Sequence, residues 1–247
     1  MEDLLLTSRH CIVFTGAGIS AESGVPTFRG AGGLWENYRP EDLATPQAFF
    51  NNPTLVWSWY RWRQKIVYNA KPNAAHYAVA ELERMGIVKA VVTQNVDGLH
   101  QRAGSVNVIE LHGSLWRARC TKCGVVYQLN SPVEVDAPVC EKCGGLLRPD
   151  VVWFGESLPA EAWRRAVELA VSSDLVLIIG TSGVVYPAAL IPQIAKSNGA
   201  VLVEINIQES ALTPLVDIFI KGRAGDELSK IVERVKRRLS TRRISSS

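Results

Sequence analysis

The 247-residue chain is short of several things. It has no apolar run near the 18 or so residues that a membrane helix needs, so no bilayer span is expected. Its opening, Met1-Glu2-Asp3-Leu4-Leu5-Leu6, is acidic and carries no small-residue cleavage motif, so a secretory leader is not expected and a cytoplasmic location is. It lacks a strong charge of either sign: 27 Lys and Arg against 24 Asp and Glu leave +3. A generally basic nucleic-acid binder is therefore not indicated. The surplus is local. From Lys221 onward nine Lys or Arg face three Asp or Glu. Only this C-terminal segment, Lys236-Arg237-Arg238 through Arg242-Arg243, offers weak nonspecific contact with nucleic acid. A solvated helix end, where the dipole favours cations, is the simpler reading. Histidine is scarce, with four residues, and cysteine numbers five.

What is present is an alternation of apolar runs and helical patterns. Six runs read as strands: Cys11–Phe14, Ala90–Thr93, Val108–Leu111, Leu175–Gly180, Val201–Asn206 and Ile218–Ile220. Several are continuous Val, Ile and Leu, as in strands buried on both faces of a parallel sheet. Helices are expected over Asn73–Met85, Ala160–Ser172, Pro187–Ser197 and Gly225–Leu239. The alternation predicts an α/β fold with a doubly wound, parallel, Rossmann-like sheet. Two stretches break the pattern. Residues 30–70 are rich in Trp, Tyr and Pro and hold helices without strands. Residues 114–149 hold four cysteines and many turn residues. Both read as insertions that form a smaller domain, a helical module and a zinc-binding module. Residues 1–29, 71–113 and 150–247 then make the nucleotide-binding domain, and the cleft between the two is the expected ligand site.

Three segments carry chemistry. Gly16-Ala17-Gly18-Ile19-Ser20-Ala21 follows a strand and is expected to open a helix. Glycines there let the backbone approach a pyrophosphate, and helix N–H groups point at it. An ordinary dinucleotide fold also wants an acidic residue about 20 positions on, at a strand end. Glu36 and Glu41 are near that distance but not in a strand, which weakens a dehydrogenase reading. The following Glu22 to Gly30 reads as a loop able to close over a dinucleotide, with Arg29 supplying charge. Gln94, Asn95 and Asp97 follow the strand Ala90–Thr93, and such side chains suit ribose hydroxyls and a carboxamide, though turn formation alone would also use them. His112 follows Val108–Leu111 and is a candidate general base. His10, His76 and His100 are less favourably placed. The spacing Cys120-x2-Cys123-x16-Cys140-x2-Cys143 predicts one tetrahedral Zn²⁺, structural because four thiolates leave no open position. Cys11, in an apolar run, reads as a buried strand thiol.

Together these segments resemble the sirtuins, the NAD-dependent protein-lysine deacylases. The resemblance runs through Gly16–Gly30, Thr93–Asp97, Leu111-His112-Gly113, the four cysteines, Val151-Val152-Trp153-Phe154-Gly155-Glu156, Gly180-Thr181-Ser182 and Glu204-Ile205-Asn206, from about residue 8 to 238. It implies NAD as co-substrate. Its phosphates would lie near Gly16, Ala17, Gly18, Ile19 and Ser20, with Glu22, Thr27, Phe28 and Arg29 closing over it. Gly180, Thr181, Ser182, Asn206, Ile207, Gln208 and Ala224 would hold the adenosine end. Gln94, Asn95, Val96 and Asp97 would meet the nicotinamide ribose and carboxamide. Phe28, Val152, Trp153 and Phe154 would line the acyl-lysine channel. The peptide backbone would pair with Gly155-Glu156 and Val184-Val185-Tyr186. His112 and Asn95 would be catalytic. The products implied are free lysine, nicotinamide and O-acyl-ADP-ribose.

Tyr60 and Arg63 share a helix face at i and i+3. A phenol and a guanidinium so placed suit a carboxylate. The pair, with the small Ala44, resembles the sirtuin subgroup that removes succinyl and malonyl groups. The sequence leaves two other readings open: protein mono-ADP-ribosyl transfer from the same NAD site, and a non-catalytic binding module. Acyl-lysine peptides or proteins, among them a chromatin protein, are the expected partners.

Overall fold

The computed structural model describes residues 1–29 and 33–244, with backbone alone at Trp35 and at 242–244. Gly30 of the expected closing loop lies outside the described residues.

Nine strands occur in chain order: β1 Cys11–Thr15, β2 Val88–Thr93, β3 Val108–Glu110, β4 Gly113–Cys120, β5 Val126–Gln128, β6 Leu147–Val151, β7 Leu175–Ile179, β8 Val201–Asn206 and β9 Ile218–Lys221. Six form a parallel sheet in the order β3-β2-β1-β7-β8-β9. All six apolar runs are its strands. With the inserted strands set aside, this is the doubly wound dinucleotide-fold order, and its topological switch lies between β1 and β7.

The continuous apolar runs exist because both faces of the sheet are covered. Cys11 and Val13 of β1 pack with helices Ala74–Arg84 and Ala224–Ile244 on one face, whereas Ile12 and Phe14 face the opposite side, where helices Ala160–Ser172 and Leu190–Ser197 supply the cover. Burial pushes the Cys11 thiol up to about 12, which makes it unreactive.

Element ends differ from expectation in informative ways. The segment after β1 is a 3-10 helix, Ala17–Ser23, stopped by Gly24 at φ 79°, and not an α-helix. The helix expected from Pro187 begins at Leu190, and residues 186–189 form a turn before it. A short helix at Glu2–Thr7 was not read from sequence. Its Leu5 is buried, and its Glu2 and Asp3 pair with Arg234 and Arg238 of the terminal helix.

The second body has its own core. Helices Leu34–Asn37, Pro40–Leu43, Pro46–Asn51 and Pro53–Asn69 pack beside an antiparallel sheet of order β5-β4-β6. Pro53–Asn69 starts on Asn52, whose side chain accepts from Leu55 N–H, with proline in the first turn. The small sheet was not legible in the sequence. Its strands are short and carry Arg, Cys and Pro, and their pairing is held from outside: Trp57 Nε1 donates to the Leu147 carbonyl at 2.8 Å, and Gln64 Nε2 to that of Leu115 at 2.7 Å. Val96 and Leu99, placed by sequence in the larger domain, pack into this core. No described helix is long and apolar enough to cross a membrane.

Candidate functional site

A cavity of about 940 Å³ opens where the carboxyl ends of β1, β2, β7 and β8 meet the small domain. Gly16, Ala17 and Gly18 form one wall and Gly180, Thr181 and Ser182 the next. The two turns touch through backbone. A Cβ on Gly18 would lie 2.7 Å from Gly180 Cα, and one on Gly180, at φ +58°, would lie 2.4 Å from Ile19 N. These glycines are thus required first by turn-on-turn packing across the switch point. Approach of a ligand is the lesser demand on them.

Ile19, Ser20 and Asp97 do not line the cavity. Ile19 packs into the hydrophobic core. Ser20 and Asp97 are buried one layer behind the wall, where the Ser20 hydroxyl donates to Asp97 Oδ2 at 2.7 Å. Asn95 Nδ2 donates to the Gly16 carbonyl at 3.0 Å and to Ser20 Oγ at 3.3 Å. Leu99 N–H donates to Asp97 Oδ1 at 2.9 Å. Burial pushes the Asp97 carboxyl up, against the pull of these hydrogen bonds and of Arg63. Sequence reasoning missed His76. Its Nδ1 accepts from Asn73 N–H at 3.2 Å, so Nε2 carries the proton and faces Ser20 Oγ at 3.4 Å. Its position in the first turn of a helix gave no sign of this. Burial holds His76 down at about 4 and His100 at about 3, so both are neutral.

His112 faces the cavity from the connection between β3 and β4. Its Nδ1 lies 3.0 Å from the Gln94 carbonyl. A carbonyl only accepts, so Nδ1 carries the proton and Nε2 keeps its lone pair. Burial lowers the pKa of the ring, more than the bond to Gln94 raises it. The result is a neutral imidazole with a basic nitrogen at neutral pH.

The end of the cavity beyond β7 and β8 is lined by Thr181, Ser182, Asn206, Ile207, Gln208 and Ala224. Asn206 is held by the turn after β7 and by its own loop: Nδ2 donates to the Thr181 carbonyl at 2.9 Å and Oδ1 accepts from Ile207 N–H at 3.0 Å. Gln94 Nε2 donates to Thr181 Oγ1 at 2.9 Å. Glu22 lines the cavity too, and its Oε2 accepts from Gly225 N–H at 2.8 Å, capping the terminal helix. Thr27, Arg29 and Val96 lie along the wall.

The other end is apolar with one buried cation. Phe28, Ala44, Tyr60, Val152, Trp153 and Phe154 line it, with Gly155, Glu156, Val184, Val185 and Tyr186 at its rim. Arg63 is 7% exposed, and its guanidinium lies 4.6 Å from the Phe28 ring and 4.9 Å from that of Trp59. No carboxylate among the described residues lies within 4.0 Å of it. Glu156 is turned away from the rim: its carboxylate takes Arg148 and the Trp153 N–H.

At the far side of the small domain the Sγ atoms of Cys120, Cys123, Cys140 and Cys143 lie within 4.8 Å of one another. Cys120 and Cys143 are 3.5 Å apart and Cys123 and Cys140 3.7 Å. Tetrahedral zinc with Zn–S of about 2.3 Å puts sulfurs about 3.8 Å apart, so the four thiols fit that ion. The Tyr127 hydroxyl, 3.2 Å from Cys140 Sγ, adds a hydrogen bond around the cluster.

Residues 16–187 match the Sir2 family. The chain is 70% identical over 240 residues to the NAD-dependent protein deacylase 2 of Pyrobaculum aerophilum, covering 97% of this chain and 96% of that one. It superposes with a TM-score of 0.95 on a variant Sir2 homologue in complex with ADP-ribose, at 50% identity and covering 97% and 96% of the two chains. A variant Sir2 protein holding a deacetylated p53 peptide and 3′-O-acetyl-ADP-ribose superposes with a TM-score of 0.88, at 36% identity and 94% and 96% coverage.

Proposed function

The chain belongs to the Sir2 family, and from that premise we propose that it is an NAD-dependent protein-lysine deacylase, transferring an acyl group to ADP-ribose with release of nicotinamide. The observation that carries the reading is the His112 ring, fixed by the Gln94 carbonyl with a free, neutral Nε2 toward the cavity. NAD, when bound, supplies an electrophilic ribose carbon with nicotinamide as leaving group. The donor set suits it: hydroxyls and amides of Thr181, Ser182, Gln94 and Asn206 for ribose and adenosine, and Arg29 for phosphate charge. Asn95, anchored to Gly16 and Ser20, presents its oxygen at a fixed angle. Ser20, His76 and Asp97 hold that anchor from behind. His112 takes a proton from a ribose hydroxyl at Nε2, while Nδ1–H on Gln94 keeps the ring from turning. The four cysteines would hold one Zn²⁺, a structural ion with no open position for substrate, clipping the loops beside the small sheet.

The acyl end supports acidic as well as acetyl groups. A buried guanidinium with no carboxylate partner among the described residues, in a pocket end shared with the Tyr60 phenol and the small Ala44, suits a succinyl or malonyl carboxylate. Val184–Tyr186 and Gly155-Glu156 line the rim and offer main chain to an extended peptide, which suits acyl-lysine peptides or proteins as substrates. The nucleic-acid reading of the C-terminal segment weakens, since Arg234, Lys236 and Arg238 pair with Glu2, Glu81 and Asp3. The Arg242 and Arg243 side chains lie outside the described residues. Four reduced thiols suit the cytoplasm. ADP-ribosyl transfer is not favoured, because the relatives are named deacylases. The deciding assay incubates acetyl- and succinyl-lysine versions of one peptide with the protein, with and without NAD, and reads mass. NAD-dependent mass loss supports deacylation; a gain of ADP-ribose overturns it.

A further inference from the structure

Two chain segments meet at the site, Glu110-Leu111-His112 leaving β3 and Asp150-Val151-Val152 leaving β6, and they pair antiparallel there. They are joined in two places. The Val152 N–H donates to the His112 carbonyl at 2.9 Å. From either side of that contact one guanidinium reaches both segments: Arg117 Nη1 donates to Glu110 Oε2 at 2.8 Å and Nε to Asp150 Oδ2 at 2.9 Å. Both carboxylates are largely buried, at 13% side-chain exposure, and Arg117 is at 27%. Next to the His112–Val152 bond, Gly113, paired with Val151 and at φ +77°, lets the Asp150 carbonyl approach to where a Cβ would be 2.1 Å away. Glu110 belongs to the large sheet and Asp150 to the small one.

We propose that Arg117 is a positioning residue, an ion-pair strap that sets His112 against the acyl-channel wall at Val152 and so aligns the base for the acyl-transfer step. Asp150 also takes Arg119 at 2.8 Å and Glu110 accepts from Gln101 Nε2 at 3.0 Å, so each keeps a partner without Arg117; what is lost is the charged link between the His112 segment and the Val152 segment. A lysine carries the charge but not the fork, so it holds one carboxylate at a time. The kinetic part of the inference rests on the deacylase reading. The structural part does not.

The test uses Arg117→Met and Arg117→Lys in the full chain with zinc bound. Exchange of labelled nicotinamide into NAD, driven by acetyl-peptide, comes before the base is needed. O-acetyl-ADP-ribose formation comes after. Arg117→Met is expected to slow product formation about 10- to 100-fold while exchange is retained, as a misplaced group costs, with part of the loss restored in Arg117→Lys. Nitrogen NMR of the free protein, with no NAD present, reads His112 directly: the Nδ1–H form in wild type, a tautomer mixture in Arg117→Met. Exchange and product formation falling together, or an unchanged His112 tautomer, overturns the proposal. Should Arg117→Met not fold, Arg117→Lys decides by the same two readouts. A wild type that removes no acyl group sinks the deacylase reading, while the NMR arm still judges the strap.

Discussion

Trp153 Nε1 donates to the Tyr60 hydroxyl oxygen at 2.9 Å, with both side chains buried. An indole N–H can only donate, so Tyr60 must accept, and its own proton is left to point elsewhere. Burial pushes the Tyr60 pKa up, which keeps that proton in place. The phenol is therefore a donor that can serve a carboxylate beside Arg63.

Acyl selectivity follows from this pair. Arg63→Met is expected to cut kcat/KM for succinyl-lysine by about 10- to 100-fold, the loss of a charge-assisted hydrogen bond of about 1.5–3 kcal/mol, and to leave acetyl-lysine nearly unchanged. Tyr60→Phe should act in the same direction with a smaller effect. Paired peptide kinetics check this, and equal losses on both acyl groups would return the pair to a packing role.

His112→Ala should lower turnover by about 10²–10⁴-fold. In the native protein, the acid limb of kcat/KM should fall below the ordinary histidine value of 6.5, because burial lowers the pKa of the ring. Activity should therefore persist as pH drops through 6.5. An acid limb above that value would mean that another group titrates.

His76 and His100 predict acid sensitivity of the fold. Their rings lie 5.0 Å apart and are held neutral, with pKa values lowered to about 4 and about 3. Above pH 6.5 neither the folded nor the unfolded state binds these protons, and stability is complete. Below it the unfolded chain takes them up first, so stability falls toward pH 4, by at most about 1.4 kcal/mol per pH unit per group. Denaturant melts from pH 7.5 to 4.5 check the slope, and His76→Gln should flatten it.

Zinc removal should loosen the small domain without melting the large sheet, since the two have separate cores. Chelation or Cys140→Ser is expected to abolish deacylation and to raise amide exchange across β4–β6 while β1 and β7 stay protected. Uniform loss of protection would show that the two cores melt as one.

Gly18→Ala tests the turn-on-turn contact. With Gly180 backbone 2.7 Å from the new methyl group, one of the turns must shift. Loss of stability by 1 kcal/mol or more is expected on overpacking grounds, together with weaker NAD binding. Weaker NAD binding with an unchanged melting temperature would place the glycine's role at the ligand instead.

The large sheet and much of the chemistry are legible from residue patterns alone. Runs such as Leu175–Ile179 announce a strand buried on both faces, because nothing else tolerates continuous Val, Ile and Leu over so short a span. The paired cysteines announce a metal, since their spacing is set by local turn geometry. These signals are local or periodic. Tertiary structure alone decided the rest. That His76 backs Ser20, that Ser20 and Asp97 stand behind the wall instead of in it, that Gly16 and Gly18 are small for Gly180's sake, and that Arg117 joins Glu110 to Asp150 are contacts across 7 to 164 residues of chain. Hydrogen bonds and close approaches of that kind leave no period in a sequence. They arise only once the hydrophobic faces have chosen their partners.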